Sequence, residues 1–264
     1  MKLQGKAVVL TGAGSGIGKA LALHLLAKGA KVAAVDVNEA ALRELTTTAP
    51  SEQLSIHNLD ITDFEKVALL PQQVQERWGA VDALINNAGI IQPFARVKDL
   101  EYPAIERVMR VNFYGMLYMT KAFLPQLLER LEAHIVNISS MGGFLPVPGQ
   151  TVYGASKAAV KLFTEGLYAE LIDTPVRVTV VFPGAVATDI AAHSGVQIGE
   201  RTGQNSGIKP LAPEKAAQII LEGMEQNRFR VLVGSDAKLM DFLYRLNPGY
   251  AARLIYRRMK SLLG

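Results

Sequence analysis

Thr11-Gly12-Ala13-Gly14-Ser15-Gly16-Ile17-Gly18 is the stretch on which the fold turns. It stands between an apolar run, residues 6–11, and a helical pattern, residues 16–28. Glycines at every second position let the backbone turn sharply and approach another group closely. The helix that opens there offers unpaired N–H groups and the positive end of its dipole, a seat for phosphate. A glycine motif alone is a weak signal. Strand, turn and helix in that order make it a dinucleotide-binding signal rather than a plain glycine-rich turn.

The alternation continues along the chain. Strands are expected at residues 31–36, 54–58, 81–86, 134–139, 176–182 and 230–233, and helices at 39–47, 63–78, 101–111, 112–130, 151–172 and 213–225. The strands are near-continuous apolar runs, the pattern of a parallel sheet covered on both faces. The expected fold is α/β, a doubly wound Rossmann fold with a seven-stranded parallel sheet and helices on both faces. No repeat, low-complexity segment or linker interrupts it, so residues 1–234 read as one catalytic domain with 235–264 as a helical extension of it. The longest irregular stretch, residues 183–212, has the length of a lid or binding loop.

The chain has 264 residues, 49% hydrophobic and 20% charged, enough to bury a full core. It has no cysteine, which excludes disulfides, thiol nucleophiles and thiolate metal sites, and fits a reducing compartment. The four histidines do not fall at metal-ligand spacing, so no catalytic metal is expected. The start of the chain lacks the apolar segment of a signal peptide, and no apolar run is long enough to span a membrane. A cytoplasmic location is therefore expected. The net charge of +4 is confined to the end: residues 1–234 carry 22 basic and 22 acidic side chains, residues 235–264 six and two. Such a distribution is no signal for nucleic acid.

Tyr153 and Lys157 in Tyr153-Gly154-Ala155-Ser156-Lys157 share one helix face, one turn apart. Free tyrosine titrates near ~10 and lysine near ~10.4. An ammonium beside the phenol favours the phenolate, so the tyrosine pKa is expected to fall and the group to serve as general acid/base. Ser140 lies upstream as a candidate partner, with Ser139 competing. Asp36 ends the second strand, where a carboxylate accepts hydrogen bonds from ribose hydroxyls and repels a 2′-phosphate. No basic residue stands at Ser15 or Val37, so NAD is expected rather than NADP. Asp60, followed by Ile61, is read either at the adenine edge or as the cap of the next helix.

Together these residues resemble the single-domain branch of the short-chain dehydrogenase/reductases. Gly12 to Gly18 is similar to the family's TGxxxGxG loop, Asn86-Asn87-Ala88-Gly89 to its NNAG motif, and Pro183-Gly184-Ala185-Val186-Ala187-Thr188 to its PGxxxT segment. Asn112, Ser140, Tyr153 and Lys157 fall at its catalytic tetrad. The resemblance implies that Gly12, Ser15, Gly16, Ile17, Gly18, Asp36, Asp60, Ile61, Asn87, Ala88, Gly89, Tyr153, Lys157, Pro183, Gly184, Val186 and Thr188 bind the dinucleotide. It implies that Tyr153 exchanges a proton with an alcohol or ketone. Lys157 then favours the phenolate and holds the nicotinamide ribose, Ser140 holds the substrate oxygen, and Asn112 holds a water on the proton route. A homodimer or homotetramer is implied, with helices 112–130 and 151–172 at its interface. An NADPH-dependent 3-ketoacyl reductase and a non-catalytic NAD-binding sensor or scaffold are the alternatives.

Segments 91–94 and 141–147, with Ile91, Phe94, Met141, Phe144, Leu145, Pro146 and Val147, are uncharged and are expected to wall an apolar substrate pocket, for a steroid-like, fatty or aromatic alcohol. Core packing of the same side chains is the competing expectation. The lid carries Ile190, His193, Val196, Ile198, Glu200 and Arg201, with no role assigned to His193 or Arg201. Residues 235–264 read as two basic amphipathic helices broken at Pro248-Gly249. Packing over the pocket or a neighbouring subunit is expected, with contact to an anionic membrane surface as the alternative.

Overall fold

The structure is a computed structural model that describes residues 1–48, 50–145, 147–196 and 210–260. Its strands are β1 (Ala7–Thr11), β2 (Lys31–Asp36), β3 (Leu54–Asn58), β4 (Ala83–Asn86), β5 (Ala133–Ile138), β6 (Val176–Pro183) and β7 (Arg230–Val233). They form one seven-stranded sheet in the order β3-β2-β1-β4-β5-β6-β7, and each pairing is parallel. The expected doubly wound fold is the fold observed. The order reverses between β1 and β4, which opens a crevice at their carboxyl ends.

Helices α1 (Gly16–Ala27), α2 (Glu39–Thr46) and α8 (Pro213–Glu225) cover one face; α3 (Phe64–Trp78), α5 (Met116–Leu128) and α6 (Thr151–Glu170) cover the other. Successive strand side chains point to opposite faces. Val8 and Leu10 accordingly join Leu21, Leu25 and Ile220 in one core layer. Val9 joins Val74, Phe123 and Leu167 in the other. Burying each such side chain contributes ~1.5–3 kcal/mol. Asn38 caps α2 by accepting the Ala41 N–H at 3.1 Å. Asp63 caps α3 through the Lys66 N–H at 3.2 Å. The alternative reading of Asp60 as that cap is therefore wrong: its Oδ1 accepts the Thr62 N–H at 2.8 Å and shapes the preceding turn.

Two elements depart from the expected pattern. Helix α4 (Tyr102–Met109) does not meet α5 at a simple break; residues Arg110–Gly115 join them in a π-helical turn. Gly115 in that turn lets it pack against Ile61, since a Cβ there would lie 2.6 Å from Ile61 Cδ1. A short helix, α7 (Ile190–His193), interrupts the expected irregular stretch. The tail forms α9 (Ser235–Leu246) and α10 (Pro248–Met259). Pro248 opens α10 rather than merely breaking the tail, and Asn247 caps it by accepting the Tyr250 N–H at 2.9 Å. The hairpin packs Met240, Ala251 and Ile255 onto Leu145, with Met141 and Phe144 against the same cluster. No helix among the described residues is long and apolar enough to cross a membrane.

Candidate active site

A cleft of about 670 Å³ follows the carboxyl ends of the central strands. Its floor is the glycine loop. Gly12 has φ 65°, and a Cβ there would come within 2.8 Å of Ala88 Cα. A Cβ on Gly18 would collide with the Gly12 carbonyl oxygen. Asn87 locks the loop to β4: its Nδ2 donates to the carbonyls of Thr11 and Gly12, both at 3.1 Å. Thr11 Oγ1 in return accepts the N–H groups of Asn87 and Ala88 at 3.0 and 3.1 Å. Ser15 makes no side-chain cap and no acidic residue stands in the first turn of α1. The donors of that helix end are left for a ligand phosphate. A side chain at Gly12 or Gly18 would collide with the loop's own backbone or with Ala88, so glycine there lets the loop fold tightly enough to fit a dinucleotide phosphate.

Asp36 is half-buried at the end of β2. Its Oδ2 accepts the Gly14 N–H at 2.8 Å and its Oδ1 the Asn38 N–H at 2.9 Å. The carboxylate thus shapes the loop and keeps lone pairs for a ribose diol. Ser15, Gly16, Ile17, Asp60, Ile61, Ala88 and Gly89 also line the cleft, as do Pro183, Gly184, Val186 and Thr188. Thr188 packs on Gly16, where a Cβ would lie 3.0 Å from Thr188 Cγ2.

At the other end of the cleft, α6 brings Tyr153 and Lys157 to Ser140, which follows β5. The Ser140 hydroxyl borders the Tyr153 ring across Gly142 and accepts the Gly142 N–H at 3.0 Å. Ser139 points elsewhere, its buried Oγ donating to the Lys157 carbonyl at 2.7 Å. Lys157 is 4% exposed. Its Nζ donates to the Ile138 carbonyl at 2.9 Å, and burial holds it down to about 8. Burial pushes the Tyr153 phenol up, with the Ser140 hydroxyl pulling against it. The tyrosine pKa is therefore pushed up where the sequence expectation had it fall, because desolvation outweighs the Ser140 hydroxyl.

Asn112 sits in the π-helical turn, buried behind the cleft. Its Oδ1 accepts the Ile90 N–H at 2.8 Å, and its Nδ2 donates to the Ile90 carbonyl and to Ser156 Oγ, both at 2.9 Å. A Cβ on Gly89 would lie 3.1 Å from Lys157 Nζ and 3.3 Å from Asn112 Oδ1, so Gly89 leaves both groups facing one gap.

The model of the family described as short chain dehydrogenase matches residues 6–198. The chain belongs to that family of oxidoreductases. A Mycobacterium tuberculosis protein named "Putative oxidoreductase SadH" is 40% identical over 261 residues, covering 96% of this chain and 94% of that one. A short-chain dehydrogenase/reductase from Burkholderia phymatum, solved in complex with NAD, superposes with a TM-score of 0.81 at 27% identity, covering 93% of this chain and 96% of its own. A short-chain dehydrogenase from Burkholderia cenocepacia, solved with NADP, also gives a TM-score of 0.81, at 28% identity over 97% of this chain and 99% of that chain.

The substrate end of this dehydrogenase differs from the sequence expectation. Ile90, Ile91, Val111, Val186 and Ile190 line the cleft, together with the charged or titratable Arg107, Asp189 and His193. Phe94 and Val147 do not line it. Met141, Phe144 and Leu145 turn into the cluster under α9 and α10. Phe144 meets Phe182 edge to face at 5.5 Å and lies beneath the Arg230 guanidinium at 5.8 Å. The tail hairpin supplies apolar surface that the sequence hides, and this surface claims those side chains. Pro146, Ile198, Glu200 and Arg201 lie outside the described residues.

Two contributors were not singled out from sequence. Arg107 needed the fold to bring α4 over the cleft. Asp236, in the first turn of α9, accepts the Ala185 N–H at 2.7 Å and packs against Gly184, so the tail holds the segment after β6. Among the described residues no cluster of three histidine or acidic side chains has metal-binding geometry.

Proposed function

We propose that this dehydrogenase is NAD-dependent and moves a hydride between the nicotinamide and the carbinol carbon of an apolar secondary alcohol or ketone. The observation that carries the reading is the juxtaposition of Ser140 and Tyr153, with Lys157 one turn away, at the end of a cleft whose floor is the glycine loop. Tyr153 takes the alcohol proton during oxidation and returns it during reduction. Ser140 fixes the substrate oxygen against Tyr153. Lys157 favours the phenolate and meets the ribose. Asn112 and Lys157 border the gap at Gly89, which suits a water-borne proton route. The nicotinamide supplies a hydride acceptor or donor and, when oxidised, a positive charge that favours phenolate; the protein supplies orientation and the proton.

Asp36 favours NAD, because a 2′-phosphate would meet a carboxylate already anchored by two backbone donors. Binding titrations test this: NAD⁺ is expected to bind more tightly than NADP⁺, and Asp36→Ala to narrow the difference. Tighter NADP⁺ binding by the wild type would overturn the assignment and favour the 3-ketoacyl reductase reading. A binding-only sensor has no use for the Ser140–Tyr153 pair.

Residues 1–234 form the catalytic domain in this reading and 235–264 extend it. Leu162 at 68% and Tyr114 at 44% exposure, on α6 and in the π-helical turn, suit burial in a homodimer or homotetramer. Leu239, Phe242 and Leu246 lie exposed on α9, near Lys238 and Arg245. That arc suits peripheral contact with anionic lipid, which flotation with phosphatidylserine vesicles tests. A cytoplasmic location agrees with a chain without cysteine.

A further inference from the structure

Gln92 belongs to no motif, and its side chain is completely buried. The loop after β4 delivers it to the amino end of α6. There, Gln92 Oε1 accepts the N–H groups of Val152 and Tyr153 at 2.7 and 2.9 Å. Its Nε2 donates to the Gly149 carbonyl at 2.9 Å. Gln150 Nε2 donates back to the Gln92 carbonyl at 2.7 Å. The residue in the cap position of α6, Gln150, makes no side-chain cap of its own. The first turn of the tyrosine helix is therefore capped from another segment of chain, and one of the two bonds ends on the Tyr153 amide itself.

The same loop is tied residue by residue to the parts of the site. Asn112 holds both polar groups of the Ile90 backbone. The buried Ser194, just after α7, accepts the Ile91 N–H at 2.9 Å. Gln92 then holds α6. Because an amide both accepts and donates, it fixes the height and the rotation of the turn that carries Tyr153.

We propose that Gln92 is a positioning residue for Tyr153: its neutral amide caps α6 and sets the phenol against Ser140 without adding charge. A carboxylate would match a helix amino terminus better on electrostatic grounds alone. It would also place a negative charge on the helix turn that carries the group that must become phenolate. The charged and titratable groups already facing the cleft, besides Tyr153 itself, are Lys157 on α6, Arg107 on α4, Asp189 and His193 at the lid, and, at the end of the glycine loop, Asp36 and Asp60.

The inference rests on Tyr153 being the acid/base group, and the test separates the two. Gln92→Leu removes both polar functions. Gln92→Glu restores both while its carboxyl is protonated, one oxygen accepting from α6 and the hydroxyl donating to Gly149. It loses the donor and gains a charge when it ionises. Gln92→Leu is expected to lower kcat about tenfold or more at every pH, the equivalent of losing roughly one such bond, with NAD⁺ affinity within about twofold of wild type. Gln92→Glu is expected to run near the wild-type rate at low pH and to fall behind it as pH rises. The Tyr153 titration, read as the ultraviolet phenolate difference between each protein and its Tyr153→Phe counterpart, needs no substrate. Gln92→Glu is expected to move it to higher pH. Unchanged titration, or a Gln92→Glu to wild-type rate ratio that does not vary with pH, would overturn the proposal even if Gln92→Leu fails to fold. A wild type that turns over while Tyr153→Phe is equally active overturns instead the assignment of Tyr153.

Discussion

At the scale of single residues, Lys157 is a buried ammonium whose desolvation costs the fold stability. An ammonium with a normal pKa of 10.5 is buried and held down to about 8. Between those values the unfolded chain binds the proton more strongly, so stability rises with pH across that window. Below about 8 the full penalty is present. Lys157→Met removes it and leaves the Ile138 carbonyl without its donor, a smaller loss. The variant is predicted to melt roughly 2–4 °C higher than wild type at pH 7, the effect of ~1 kcal/mol in a chain of this size. The gain should shrink as pH climbs past 8, and melting curves at pH 7 and 9.5 check it. Lys157, Tyr153 and Asp36 were legible in the sequence because spacing and strand ends position them. The direction of the Tyr153 shift was not, since burial is a property of the surrounding packing. Gln92 was invisible for a related reason: nothing local marks a side chain whose partners lie about sixty residues away.

At the scale of elements, the alternation of strands and helices was readable because parallel strands covered on both faces are continuous apolar runs. The π-helical turn at Arg110–Gly115 was not readable. It adds one residue without changing the apolar period enough to notice, yet it is what carries Asn112 to Ile90 and Ser156. Such turns concentrate at functional sites. The tail was legible as two amphipathic helices with packing near the pocket expected, but the Asp236 contact that ties it to the segment after β6 was not. Through Asp236, α9 supports the Pro183–Thr188 segment against which the cofactor is expected to lie. Asp236→Ala is predicted to weaken NAD⁺ binding by about tenfold, since a charge-assisted bond to the Ala185 N–H is lost. Its melting temperature should move little, because the segment lies at the surface of the cleft. Calorimetric titration together with a melting curve distinguishes this from general destabilisation, which would shift both.

At the scale of the whole molecule, the sheet itself carries a pH sensitivity. His134 in β5 is completely buried. Its Nε2 lies 2.8 Å from Thr179 Oγ1, which already donates to the Arg228 carbonyl at 2.7 Å. Nε2 must therefore carry the ring proton, which leaves Nδ1 bare, without a partner among the described residues. Burial holds His134 down to about 3 from its usual 6.5. The unfolded chain takes up the proton first, so stability is lost as pH falls through 6.5 toward 3. His134→Gln keeps a donor for Thr179 and does not ionise. Its stability is predicted to fall less than that of wild type between pH 7 and pH 5, by about 2 kcal/mol, read from urea unfolding at the two values.

The account as a whole stands on Tyr153 acting as the proton-transfer group of an NAD-dependent oxidation. The measurement that reaches it most directly is NADH formation from NAD⁺ across a panel of apolar secondary alcohols, wild type beside Tyr153→Phe. Turnover by the wild type, with kcat lower by about 10²- to 10⁴-fold in a variant that still binds NAD⁺ normally, is the predicted result. Equal rates in the two proteins, or NAD⁺ binding with no turnover of any alcohol or of the corresponding ketones in reverse, would contradict it.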